Sequence, residues 1–91
     1  MIGQPVLVTT KHRGVFFGTL TAEKDEGSTV ELEGARCAIR FGTSKGFFEL
    51  AQTGPTSSSK VGATAPLVRL RDVTSITLCS EAAAAAWRSR A

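Results

Sequence analysis

The sequence predicts a small, mainly β domain: a partly open barrel of about five antiparallel strands with one or two short helices, one of them at the C-terminus. Three observations carry that expectation. VFFGTLTAE (15–23), TVELE (29–33) and RCAIRF (36–41) alternate with a period of two and are rich in β-branched and aromatic residues. The joints between them are short and carry glycine, as hairpins require. Only in FFELAQ (47–52) and the alanine-rich SEAAAAAWRSR (80–90) does the pattern suit a helix instead.

PVLVTT (5–10) opens the fold as a β-branched strand with proline at its entrance. KHRG (11–14) turns the chain. In 15–23, Val15, Phe17, Thr19 and Thr21 face one way and Phe16, Gly18, Leu20 and Ala22 the other. Glycine at position 18, in mid-strand, marks a bulge, a bend or a close backbone approach. KDEGS (24–28) is a hairpin loop, after which Val30 and Leu32 point inward and Thr29, Glu31 and Glu33 outward. Gly34 and Ala35 form a tight joint to a further strand, with Cys37, Ile39 and Phe41 on one face and Arg36, Ala38 and Arg40 on the other. Residues 12–41 thus read as a three-stranded meander. Phe47, Leu50 and Ala51 fall on one helical face, with Ser44 as the expected cap and Gly46 weakening the helix by about 1 kcal/mol. Residues 53–66, rich in Gly, Ser, Thr and Pro, form an exposed, flexible loop. LVRLRDVTSITL (67–78) gives two strands, or one kinked at Asp72, with Val68, Leu70, Val73, Ile76 and Leu78 as core. Residues 80–91 form the closing helix, capped by Ser80, with Glu81 at its positive end and Arg88 and Arg90 at its negative end.

The 91 residues amount to one domain, 1–91. A chain this short buries a limited share of its surface, so self-association into a homo-oligomer is expected. An apolar fraction of 42% with 21% charged residues excludes wholesale disorder. A net charge of +3 and a pI near 9.3 favour anionic partners. Cys37 and Cys79 lack metal-ligand spacing and read as buried free thiols. The N-terminal residues do not have the pattern of a signal peptide, and no apolar run reaches the length of a membrane span. A cytoplasmic protein is expected.

No enzyme signature emerges. The single histidine, His12, sits in a turn, and Glu23, Asp25 and Glu26 crowd a hairpin tip without the spacing of a calcium loop. GTSKG (42–46) and the serine-rich loop lack the GxxxxGK[ST] phosphate signature. No catalytic residue, metal or cofactor is expected. The arginines are more informative. Arg36 and Arg40 share a strand face about 13 Å apart, and Arg69 and Arg71 share another. If the two strands neighbour each other, four guanidiniums form a stripe able to grip phosphates in bidentate fashion. Lys45, Lys60 and the loop serines Ser57, Ser58 and Ser59 would close over the ligand, and Phe47, Phe48 or Trp87 would stack on a base if exposed. The plainer role is that these arginines pair with Glu31 and Glu33 and keep a sheet edge soluble.

The stretches TTKHRGVFFGTLTAEKDEGSTVELEGARCAIRF, GTSKGFFELAQTG and LVRLRDVTSITLCSEAA resemble a family of small phage-encoded proteins of unknown function, over most of residues 9–83. Where those relatives carry tryptophans just after the Ala-Arg pair, this chain has CAIRF. The Gly18–Leu20 bend and the Leu70–Ile76 ending also look like the Sm/SH3-like small barrels, which commonly form rings and bind RNA. The phage resemblance implies a viral protein acting in the host cytoplasm against host defence. It would bind and sequester a nucleotide-derived immune signal, a cyclic nucleotide or an ADP-ribose derivative, without cleaving it. The alternatives are an RNA- or DNA-binding ring, or a structural or protein-inhibiting phage component.

Overall fold

A computed structural model describes residues 1–12 and 14–90. The strands are β1 (Pro5–Thr10), β2 (Val15–Lys24), β3 (Thr29–Arg40), β4 (Lys60–Val61), β5 (Ala65–Leu70) and β6 (Val73–Leu78); the helices are α1 (Phe47–Gln52) and α2 (Glu81–Ser89). The protein is mainly β, an open antiparallel sheet in the order β4-β3-β2-β1-β6, with β5 also paired to β3. β5 pairs with the first half of β3, from Val30 to Ala35, and β4 with its end, at Ala38 and Arg40.

Two cores follow from the period of two. Val6, Val8, Leu20, Val30, Leu32, Ala35 and Leu70 are buried together on one face. All of them come from strands, so that face is covered by the sheet curling on itself. Leu7 and Phe17 project to the other face, where Leu50, Ala51, Ala83, Ala84 and Trp87 of the two helices cover them. Trp87 is wholly buried, stacks on Phe17 with ring centres 5.3 Å apart, and donates from Nε1 to the Leu50 carbonyl at 3.0 Å.

Gly18 is where the sheet bends: the β2–β3 register shifts between Phe17 and Thr19, and a Cβ at position 18 would meet Leu32 Cβ at 2.8 Å. Gly34 departs from the expectation. It does not end a strand; at φ +60° it absorbs a kink while the β5 pairing continues on both sides of it, through Glu33 and Ala35. Residues 15–40 therefore form one long hairpin, β2–β3, and the meander is completed by β1. Asp25, Glu26 and Gly27, all at positive φ, form a single 3-10 turn at its tip. Asp72, at φ 55°, breaks 67–78 into β5 and β6. Ser44 does not cap α1, whose N-cap is Gly46; the Glu49 carboxylate instead accepts the Lys45 N–H at 3.0 Å. Ser80 does cap α2, accepting the Ala83 N–H at 3.0 Å. Residues 53–66 contain β4, the first residues of β5 and the buried Ser59. Leu78 is exposed rather than core. Among the described residues no helix is long and apolar enough to cross a membrane.

Candidate functional site

The four arginines do not form one stripe. Arg36, only 6% exposed, points under α2. Its Nε donates to the Gly62 carbonyl at 3.0 Å, and its Nη1 donates to the carbonyls of Trp87 at 2.7 Å and Arg90 at 2.5 Å. A helix leaves its last carbonyls without intrahelical donors and carries partial negative charge there. Arg36 answers both needs, so most of its guanidinium is spent on holding α2 to the sheet. Arg69 lies opposite Glu31 across β3–β5 and binds its carboxylate through Nε at 2.9 Å and Nη2 at 2.7 Å. The Arg69 hydrogen bond holds the Glu31 carboxyl below its ordinary 4.5, and Lys24 at 3.9 Å adds to the attraction. Arg71 is exposed in the β5–β6 connection, next to Asp72 rather than on a strand face with Arg69. Alternation alone misplaced these groups because the pull of a helix end on Arg36 and the Glu31 partner of Arg69 are both tertiary facts.

The serine loop is also differently employed. Ser57 and Ser58 are exposed, but Ser59 is buried, donating to the Phe41 carbonyl and accepting the Thr56 N–H at 2.9 Å. Arg90 grips the same loop from outside, through the carbonyls of Thr56 and of Ser59 at 2.6 Å. Residues 56–59 are thereby pinned to the end of β3 and to α2. Arg90 was legible in the sequence only as a helix-end charge.

What the fold does bring together lies at the end of β3. Arg40 and Lys60 are cross-strand partners on β3 and β4, and both are exposed. Lys45, also exposed, sits in the loop leading from β3 to α1. Three phenylalanines accompany them: the Phe41 and Phe47 rings are 6.2 Å apart and the Phe47 and Phe48 rings 5.5 Å apart. Phe48 is 68% exposed, far more than a single-domain core requires of an aromatic ring. No carboxylate stands within 4.0 Å of these three cations among the described residues. Of the aromatic residues singled out in the sequence, Phe48 is free to stack on a planar ligand, Phe47 is half-buried beside it, and Trp87 is enclosed in the core.

A family model described as a domain of unknown function (DUF6948) matches residues 3–87. Comparison with curated proteins returns no match. Among solved structures, the chain is similar to a heptameric archaeal Sm protein studied for its implications for the eukaryotic snRNP core. The TM-score is 0.56 and the identity 17%, over 87% of this chain and 90% of that one. The likeness establishes an Sm-like fold.

Proposed function

This chain belongs to the DUF6948 domain family, and we propose that it is a homo-oligomeric, non-catalytic protein that binds a phosphate-bearing nucleotide at the β3–β4 end. The observation that carries the reading is that three exposed cations, Arg40, Lys45 and Lys60, and the exposed ring of Phe48 all lie on β4, the end of β3 and the segment that follows it. Guanidinium and ammonium groups satisfy phosphate oxygens, and an exposed aromatic face stacks on a base of any identity. Three cations on one protomer match one or two nucleotides, the scale of a cyclic nucleotide or an ADP-ribose derivative. In the phage setting that the sequence resembles, the role would be to sequester such an immune signal intact. His12, the one histidine, is paired with Asp72 at 3.6 Å on an open turn with its side chain 80% exposed. That is a poor environment for orienting a general base.

A second reading, an RNA- or DNA-binding ring, is favoured by the sheet edges. Among the described residues β5 pairs only with β3 and β6 only with β1, so each leaves one row of backbone groups open. Each also carries an exposed leucine, Leu67 at 58% and Leu78 at 47%. Two different open edges joined head to tail make a heterologous contact that closes into a ring if the rotation permits. Such a ring would repeat the basic, aromatic patch around its circumference and so accommodate a strand.

Calorimetry with a panel of cyclic and ADP-ribose nucleotides, set beside a short single-stranded RNA at two salt concentrations, separates these. The nucleotide reading expects saturable, stoichiometric binding of one small ligand, recovered unaltered and abolished by the double substitution Arg40→Glu, Lys60→Glu. Affinity confined to RNA and falling steeply with salt favours the ring instead. Binding of neither overturns both.

A further inference from the structure

A hollow separate from the Arg40, Lys45 and Lys60 side chains lies beside α2. This cleft of about 420 Å³ is lined by Thr19 of β2, Glu33 and Arg36 of β3, Thr64 and Pro66 at the start of β5, and Arg88 of α2. Its volume falls in the range of small-molecule sites. Gly34 keeps it open: nothing lies within 4 Å of where a Cβ would stand, and its φ of +60° disfavours any side chain there.

The charges around the cleft are built in but not neutralised. Arg36 is fixed by its three backbone bonds through Nε and Nη1, while its Nη2 has no acceptor among the described residues. Among the described residues no buried side-chain nitrogen or oxygen lacks a hydrogen-bond partner, so this nitrogen touches solvent at the cleft, where its N–H groups are open to a ligand. Arg88 reaches in from α2, its guanidinium 5.8 Å from the centre of the Phe17 ring and its Nη2 donating to Thr19 Oγ1 at 3.3 Å. Glu33 is exposed at the rim and makes no ion pair within 4.0 Å with either arginine among the described residues. Two cations and one anion therefore face the same hollow without cancelling each other.

We propose that this cleft binds a phosphate monoester carried on a hydroxyl-bearing sugar. The phosphate would bridge Arg36 Nη2 and Arg88, Thr19 and Thr64 would supply hydroxyl donors, and Glu33 would accept from the sugar hydroxyls. A bare phosphate leaves Glu33 as an uncompensated repulsion, and a bare sugar leaves the guanidiniums unused, so each half alone binds worse than the ester. The proposal is independent of the nucleotide reading, which uses Arg40, Lys45, Lys60 and Phe48.

The test is a titration of isotope-labelled protein, followed by amide NMR shifts, with ribose 5-phosphate, inorganic phosphate and ribose as separate probes. Ribose 5-phosphate is expected to bind at least about tenfold more tightly than either of the others, with shifts centred on Thr19, Gly34 and Arg88. Arg88→Gln, a change on the exposed face of α2, should weaken it at least about tenfold. Glu33→Gln should erase most of the preference over inorganic phosphate, and Arg40→Gln should change nothing. Equal binding of inorganic phosphate and the ester overturns the proposal, as does full affinity in Arg88→Gln. Loss of binding in Arg40→Gln would do so as well, because it would move the ligand to the other end of β3.

Discussion

Replacing Arg36 by alanine removes three hydrogen bonds at once, those to the carbonyls of Gly62, Trp87 and Arg90. Charge-assisted bonds contribute about 1.5–3 kcal/mol each, which sets an upper bound near 5–9 kcal/mol. Water entering the vacated space recovers part of this at the helix end. The expected loss is about 3–5 kcal/mol, the range found when one partner leaves a buried charged network. For a domain of this size about 4–8 °C is lost per kcal/mol, so the melting temperature should fall by at least about 12 °C. Arg36→Lys keeps the charge but cannot span three carbonyls from one ammonium, and should lose about 1–3 kcal/mol. Urea denaturation at constant m-value, followed by circular dichroism, measures both. Arg40→Ala is the comparison: exposed and unpaired, it should shift stability by under about 0.5 kcal/mol. If Arg36→Ala melts within about 2 °C of the parent, Arg36 does not clamp α2 and its burial has been misread.

Three further expectations concern groups that the fold sets apart. The Glu31 carboxyl should titrate below 4.5 by NMR, and Arg69→Ala should return it toward that value. Because its folded pKa is depressed, the stability it contributes is present above pH 4.5 and is lost as pH falls through the lower folded value. Burial pushes the Cys79 thiol up to about 11 from 9.0, so in native protein at pH 8 a thiol reagent should modify Cys37 and spare Cys79 until urea unfolds the chain. The same shift favours folding below pH 9 and ceases to do so as pH rises toward 11. Leu67→Lys or Leu78→Lys, each placing a charge on an open edge, should convert an oligomer to monomers in light scattering while leaving the far-UV spectrum unchanged.

Much of the architecture was legible because period-two alternation is strict where one face is buried. Val30 and Leu32, Val68 and Leu70, and the Ser80 cap all fall where the pattern put them. Gly34 misled because a glycine at positive φ serves equally in a turn and in a kink that keeps its ladder, and only the β5 partner decides between them. β4 escaped notice because two residues carry no period. The candidate site was legible in part. Arg40, Lys45 and Lys60 stayed exposed, as outward charges do, whereas Arg36 was captured by helix carbonyls more than fifty positions away in sequence. Arg88 was legible only as a helix-end charge and Phe41 only as a strand-face residue; their further roles come from what α2 and the loop before α1 pack against.

Native mass spectrometry of the protein with a mixture of cyclic and ADP-ribose nucleotides reads subunit number and ligand stoichiometry in one spectrum. A homo-oligomer carrying whole-number equivalents of one unaltered nucleotide, lost when Arg40 and Lys60 are both changed to glutamate, is the expected result. A bare monomer, or a nucleotide held equally well by that double variant, contradicts it.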